Sequence, residues 1–283
     1  MSVSTDQIES WTNPGAVQSA INSHTSIRSA IAELEFPGRN SPDVFLQGSY
    51  KNHTNIRGDS DVDVVIFWPS VFWSNLSETD KLRLGILPAD YSWQTYDKTI
   101  QEGLTRHYGN DRVHIGKKAI TISFSSGGYV PADVVNAFGY RLYDANDQFE
   151  EGITFFNRAN GQMIVNYPKQ HFDRGNRKSE ETSGNYRKVV RAAKHARNFS
   201  IDHFLLAESE APSYYLESLV YALPNSVFGG DIRDALRSLA AFALHPSPKL
   251  LCQNGMTHLF GENETSWSIA SAARLGQSLG EIL

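Results

Sequence analysis

The stretch 47-QGSYKNHTNIRGDSDVDVVIFW-68 decides the fold. Gly48 and Ser49 close one apolar run, 43-DVFLQ-47, and Asp61 and Asp63 stand at the head of a second, 61-DVDVVIF-67. Both runs read as strands, the second rich in β-branched residues. Side chains alternate along a strand, so Asp61 and Asp63 share one face while Val62, Val64 and Ile66 take the other. Two such carboxylates lie roughly 6–7 Å apart. At an effective dielectric near 20 they repel by a few kcal/mol. A salt-bridge partner, solvent or a divalent cation offsets that repulsion. Mg²⁺ favours hard carboxylate oxygens and completes its shell with water and phosphates.

Asp133 repeats the pattern inside the apolar run 129-YVPADVVNAF-138, which follows a Ser-Ser-Gly-Gly turn. Three acids on adjacent strands suit a two-metal site with ions about 3.5–4 Å apart. An Asp-x-Asp alone is more often a solvated strand end, and a Gly-Ser alone is usually a turn. Their order makes the combination specific. Gly48 lacks a Cβ, so the chain can turn sharply and a phosphate can approach its amide. Ser49 adds a hydroxyl donor.

Working outward, 15–35 reads as a helix stopped by Pro37-Gly38, and 93–109 as another. Residues 118–124 and 162–167 read as strands. Residues 168–178 are polar and turn-rich, a candidate linker. Then comes a long basic helix at 179–199, with further helices near 213–222, 231–244 and 267–282. Strands dominate the first part and helices the second. The expectation is an α/β (α+β) fold: a mixed-sheet lobe at 1–167 and a helical lobe at 168–283, with the active site in the cleft between them.

Hydrophobic residues form 40% of the 283-residue chain and charged residues 20%, enough to bury a core. A net charge of −5 argues against general coating of nucleic acid. The single cysteine, Cys252, excludes an internal disulfide framework and a cysteine zinc site. No apolar run approaches the roughly 20 residues of a membrane span, and no signal peptide opens the chain. A cytoplasmic protein without a membrane partner is expected. There is no Gly-rich P-loop and no H-x-x-x-H spacing, which sets aside a P-loop NTPase and a metallohydrolase.

The segments 48-GSY-50, 60-SDVDVVIF-67 and PADVVNAF resemble the DNA-polymerase-β-like nucleotidyltransferase superfamily, and within it the bacterial cGAS/DncV-like nucleotidyltransferases. NYPKQH, YRKVVRAAKHARNF and PSYYLESLVYALP extend the resemblance over roughly residues 14–225. The resemblance implies a catalytic, metal-binding triad of Asp61, Asp63 and Asp133 holding two Mg²⁺ ions, with Mn²⁺ as a substitute. It implies that Gly48, Ser49, Lys194 and Ser213 contact nucleotide phosphates and that Tyr214 stacks on a base. Glu217, four residues past Ser213 on the same helix face, reads as a structural partner.

The implied reaction joins NTPs into a cyclic di- or trinucleotide second messenger, with release of pyrophosphate, in anti-phage (CBASS-type) signalling. An effector protein would sense the product. DNA activation is not expected, given the single cysteine and the acidic balance. Rival readings are a nucleotidyltransferase acting on an RNA end or a small acceptor, and a non-catalytic nucleotide-binding sensor. Bases, linkage, ring size and oligomeric state are not legible.

Overall fold

The computed structural model describes residues 2–15, 17–37, 41–58, 61–89, 91–125, 127–262 and 266–283. Gly38 of the expected helix stop and Ser126 of the Ser-Ser-Gly-Gly turn lie outside them. In chain order the elements are α1 (Thr5–Ser10), α2 (Gln18–Ala32), β1 (Asp43–Gln47), α3 (Gly48–Asn52), β2 (Val62–Ser74), α4 (Glu78–Arg83), α5 (Trp93–Tyr108), β3 (Val113–Ile115), β4 (Ile120–Ile122), β5 (Ala132–Tyr143), β6 (Phe149–Phe156) and β7 (Met163–Asn166). The remainder is helical: α6 (Pro168–Glu181), α7 (Asn185–Asp202), α8 (Ser213–Ala222), α9 (Ile232–Leu244) and α10 (Ile269–Ile282).

The chain divides into two compact units. One comprises residues 17–50 and 60–168, the other 1–16, 51–59 and 169–283. The division is not the contiguous one expected at 167: residues 1–16 and 51–59 belong with the later helices.

The first unit is built on one mixed sheet with the path β1-β2-β5-β4-β3, β6 pairing with β5 and β7 with β6. β5 is the spine. It runs parallel to β2, antiparallel to β4 over its first residues, and antiparallel to β6 over its last. On β2, Val62, Val64, Ile66 and Trp68 are buried in a core shared with Ile27 and Ile31 of α2 and with Trp93, Tyr96, Ile100 and Leu104 of α5. That spacing on α5 is the apolar stripe of an amphipathic helix. Ser92 caps the helix by accepting from the Thr95 amide at 3.1 Å, which satisfies one of the first-turn donors. Trp93 Nε1 donates to Asn136 O at 2.9 Å, and the Tyr96 hydroxyl to Ile66 O at 3.0 Å. Both bonds fix the helix against the sheet. Asp97, buried on α5, accepts from Arg158 Nη2 (2.6 Å), Arg158 Nε (2.8 Å), Asn136 Nδ2 (2.7 Å) and Gln101 Nε2 (2.6 Å). A buried carboxylate needs such partners.

The opposite face of the sheet carries a small cluster of Val65, Ala137 and Ile153, flanked by Phe45 and Phe67. Asp63 belongs to this face by strand alternation.

The second unit packs around α7, whose Val189, Val190, Ala192, Ala193 and Ala196 join a core with α8, α9 and α10. The candidate linker proves to be most of α6. Pro168 occupies its first position, where a missing N–H costs nothing. His171, Gly175 and Lys178 are buried on one side of it.

Candidate active site

Strand β1 ends at Gln47, and the chain turns at Gly48 with φ +65° into α3. Only glycine adopts that backbone readily. A second constraint acts at the same residue: a Cβ on Gly48 would overlap Oδ2 of Asp63. The reason lies in the register, since Gln47 faces Asp63 across the β1–β2 ladder. Asp63 in turn faces Asp133 across the parallel β2–β5 pair. The two half-buried acids therefore sit on adjacent strands, about 4.8 Å apart in the pairing direction. Asp133 Oδ1 accepts from the Thr121 hydroxyl at 2.7 Å, Thr121 being its cross-strand neighbour on β4. Ser49, half-buried, is the second residue of α3.

Asp61 stands one residue before β2 and is exposed. Among the described residues no three His, Cys, Asp or Glu side chains converge closely enough to hold a metal ion. The structure thus brings Asp63, Asp133 and Gly48 together and leaves Asp61 at the strand mouth. The donor set is nonetheless of the right kind. It consists of hard carboxylate oxygens beside a backbone stripped of its Cβ, which suits Mg²⁺ shared with phosphate.

The remaining expected residues lie in the helical unit. Lys194, read from the sequence as a phosphate contact, is fully buried on α7. Its ammonium lies 2.7 Å from Glu217 Oε1 and donates to Thr54 O at 3.1 Å. An enclosed ammonium requires a counter-charge, and Glu217 supplies it. Glu217 also accepts from the Thr54 hydroxyl at 2.8 Å, and His171 Nε2 lies 3.5 Å from its other oxygen. Burial alone would raise the Glu217 pKa. The Lys194 charge and the His171 contact outweigh burial and hold the carboxyl at about 2.

Tyr214 stacks on His171, with ring centroids 5.3 Å apart and planes 23° apart, and its hydroxyl accepts from Asn254 Nδ2 at 2.9 Å. It keeps 42% exposure. Its neighbour Tyr215 lies against Trp267 at 5.8 Å and is half-buried against the core of the helical unit. Ser213 opens α8 behind Pro212, which provides no side-chain cap, and its hydroxyl accepts from Arg197 Nη1 at 3.1 Å. Thr54, Thr121 and Arg197 escape the sequence reading. Small hydroxyls and one arginine among many on a basic helix carry no pattern of their own.

The Glu217 carboxyl has a folded pKa below its unfolded value, so its contribution to stability is complete above the unfolded pKa of about 4.5 and is lost as pH falls towards 2. Glu217→Gln leaves the Lys194 ammonium buried without its counter-charge. It should cost about 3–5 kcal/mol in urea unfolding at pH 7, and the penalty should shrink between pH 4.5 and 2. A loss below about 1 kcal/mol at pH 7 would show the network to be incidental.

Residues 173–283 match the cGAS/DncV-like nucleotidyltransferase C-terminal helical domain. The chain is 40% identical over 279 residues to the cyclic UMP-AMP synthase of Rhodothermus marinus, covering 97% of this chain and 95% of that protein. It superposes with a TM-score of 0.91 and 38% identity on the R. marinus CdnE c-UMP-AMP synthase solved with Apcpp and Upnpp, covering 99% of this chain and 96% of that one. The Elizabethkingia meningoseptica CdnE cyclic dinucleotide synthase, solved with GTP and Apcpp, gives 0.81 at 25% identity, covering 99% and 98%. With the glycine turn and the paired aspartates in place, these likenesses make the chain a bacterial member of the cGAS/DncV-like nucleotidyltransferase family, an enzyme of the cyclic-nucleotide-synthase kind.

Proposed function

We propose that this enzyme joins UTP and ATP into cyclic UMP-AMP with release of two pyrophosphates. The observation that carries the reading is the register that sets Asp133 beside Asp63, with the Cβ-free backbone of Gly48 against Asp63. The choice of bases rests on the likeness to the R. marinus synthase along nearly the whole chain.

In each transfer a ribose hydroxyl attacks the α-phosphorus of a triphosphate. The new P–O bond forms as the bond to the β-phosphate oxygen breaks, and pyrophosphate departs with that electron pair. The hydroxyl proton passes to the Asp133 carboxylate. The second transfer, between the ends of the linear intermediate, closes the ring. Gly48 lets a phosphate approach the backbone, and Ser49 donates to a phosphate oxygen. Ser213 donates to the triphosphate, and the exposed face of Tyr214 stacks on a base. Thr121 holds one oxygen of Asp133, which leaves the other for the reacting hydroxyl. Lys194 acts through Glu217, tying Thr54 to α7 and α8.

Asp61, Asp63 and Asp133 would hold Mg²⁺, which when bound neutralises the triphosphate and the charge that develops on the leaving group. The product is a signal read by an effector protein in anti-phage defence, and the enzyme works in the cytoplasm, where its NTP substrates are.

Two measurements test this. Purified protein with all four NTPs and Mg²⁺, followed by phosphatase and mass spectrometry, should yield a resistant species of the mass of cyclic UMP-AMP, absent for Asp63→Asn. A cyclic product with other bases would overturn the assigned specificity, and equal product from Asp63→Asn would overturn the mechanism. In the same assay Thr121→Val should lower kcat about tenfold with little change in KM, a loss of roughly 1.4 kcal/mol in the transition state. Thr121→Ser should restore most of it. An unchanged kcat for Thr121→Val would remove Thr121 from the mechanism.

A further inference from the structure

A second cluster of charge lies in the helical unit, one turn along α7 from the buried Lys194. Arg187 and Arg191 are four residues apart on α7 and share one face. Arg191 is 9% exposed, and its partners are neutral carbonyls: Nε donates to Thr12 O at 2.6 Å and Nη1 to His53 O at 2.8 Å. Arg187 donates through Nη2 to Asn176 Oδ1 on α6, while its buried Nε has no hydrogen-bond partner among the described residues. Lys51 sets its ammonium 4.5 Å over the ring of Phe172, also on α6. His53, exposed, is held at φ +59°, a costly conformation for a residue with a Cβ.

These groups act on one another. Burial lowers the pKa of His53, and Arg187, Lys51 and Arg191 lower it further. Burial and Arg187 do the same to Arg191. Glu180 acts on Arg187 in the opposite sense, but from beyond ion-pair distance. Among the described residues no carboxylate comes within 4.0 Å of the three cations Arg187, Arg191 and Lys51 or of the His53 imidazole.

Hydration alone suits Lys51 and His53, which are exposed. It does not suit Arg191, or the enclosed Nε of Arg187. Guanidinium forks match tetrahedral oxyanions, and a half-buried pair of like charges is relieved most directly by an anion. We propose that Arg187, Arg191, Lys51 and His53 bind the phosphate group of a small ligand, either inorganic phosphate or the phosphate of a diphosphate or nucleotide. The proposal does not depend on the reaction proposed above.

Two experiments on the full chain test it, both without divalent cations. Crystals soaked in tungstate, a heavy phosphate analogue, should show an anomalous peak against the Arg187 and Arg191 guanidiniums. In solution, phosphate, pyrophosphate and ATP are compared with chloride at matched ionic strength. The stabilising ligand should raise Tm by about 2–4 °C. That shift should fall by half or more in Arg187→Gln and in the exposed-site variant Lys51→Ala, and persist in Ser49→Ala. An equal response to phosphate identifies the free ion as occupant, whereas a response confined to pyrophosphate or ATP identifies a diphosphate group. Tungstate absent from the two arginines, or shifts that survive both Arg187→Gln and Lys51→Ala, would overturn the proposal.

Discussion

One close approach organises the catalytic strands: the Asp63 carboxylate occupies the space where a side chain on residue 48 would begin. It requires glycine at the end of β1, and it holds because Gln47 and Asp63 are ladder partners. The same register on the other side of β2 brings Asp133 beside Asp63. A slip of one residue in either pairing would turn an acid to the helix-covered face, among Val62, Val64 and Ile66. The apolar stripe of β2, packed under α2 and α5, therefore fixes the acids as firmly as any contact they make themselves. Burial of one face enforces the chemistry of the other.

The helical unit solves a different problem. Glu217 and Lys194 are enclosed charges, and each is tolerable only because of the other. Thr54 binds both, through its hydroxyl to Glu217 and its carbonyl to Lys194. His171 completes the shell of Glu217 and supports the ring of Tyr214. A segment only a few residues past the glycine turn is thus tied to α6, α7 and α8 by one carboxylate. The stacking ring and the charge pair belong to a single polar network. Among the described residues His171 Nδ1 has no hydrogen-bond partner, so the network is satisfied around the Glu217 carboxylate rather than throughout.

Much of this was legible in the sequence, and the failures have physical causes. Strand β1 and the start of β2 follow from β-branched runs, and the shared face of the acids follows from a period of two. The α5 and α8–α10 helices announce themselves by apolar spacing. Helix α6 did not, because it is polar and carries Gly175 in its middle. That glycine is a packing requirement, since a Cβ there would come within 2.5 Å of Gln253 Nε2. Strand β6 hid behind Gly152 for a like reason: its Cβ would meet Asn166 O on β7 at 2.9 Å. In both elements a close approach mimicked a breaker. The burial of Lys194 was not legible because a lysine on a basic helix gives no sign of it, and its partner Glu217 lies 23 residues further along.

The claim at the centre of this account is that the Gly48 turn and the Asp63–Asp133 pair form one catalytic centre. The most direct measurement is the turnover of UTP and ATP by Gly48→Ala, with circular dichroism and Tm recorded on the same preparation. A single methyl group there must displace the Asp63 carboxylate or reopen the turn. The account predicts product formation at least about 100-fold below wild type, a transition-state loss near 2.7 kcal/mol, in a chain that stays folded. Wild-type turnover by a folded Gly48→Ala protein would contradict it.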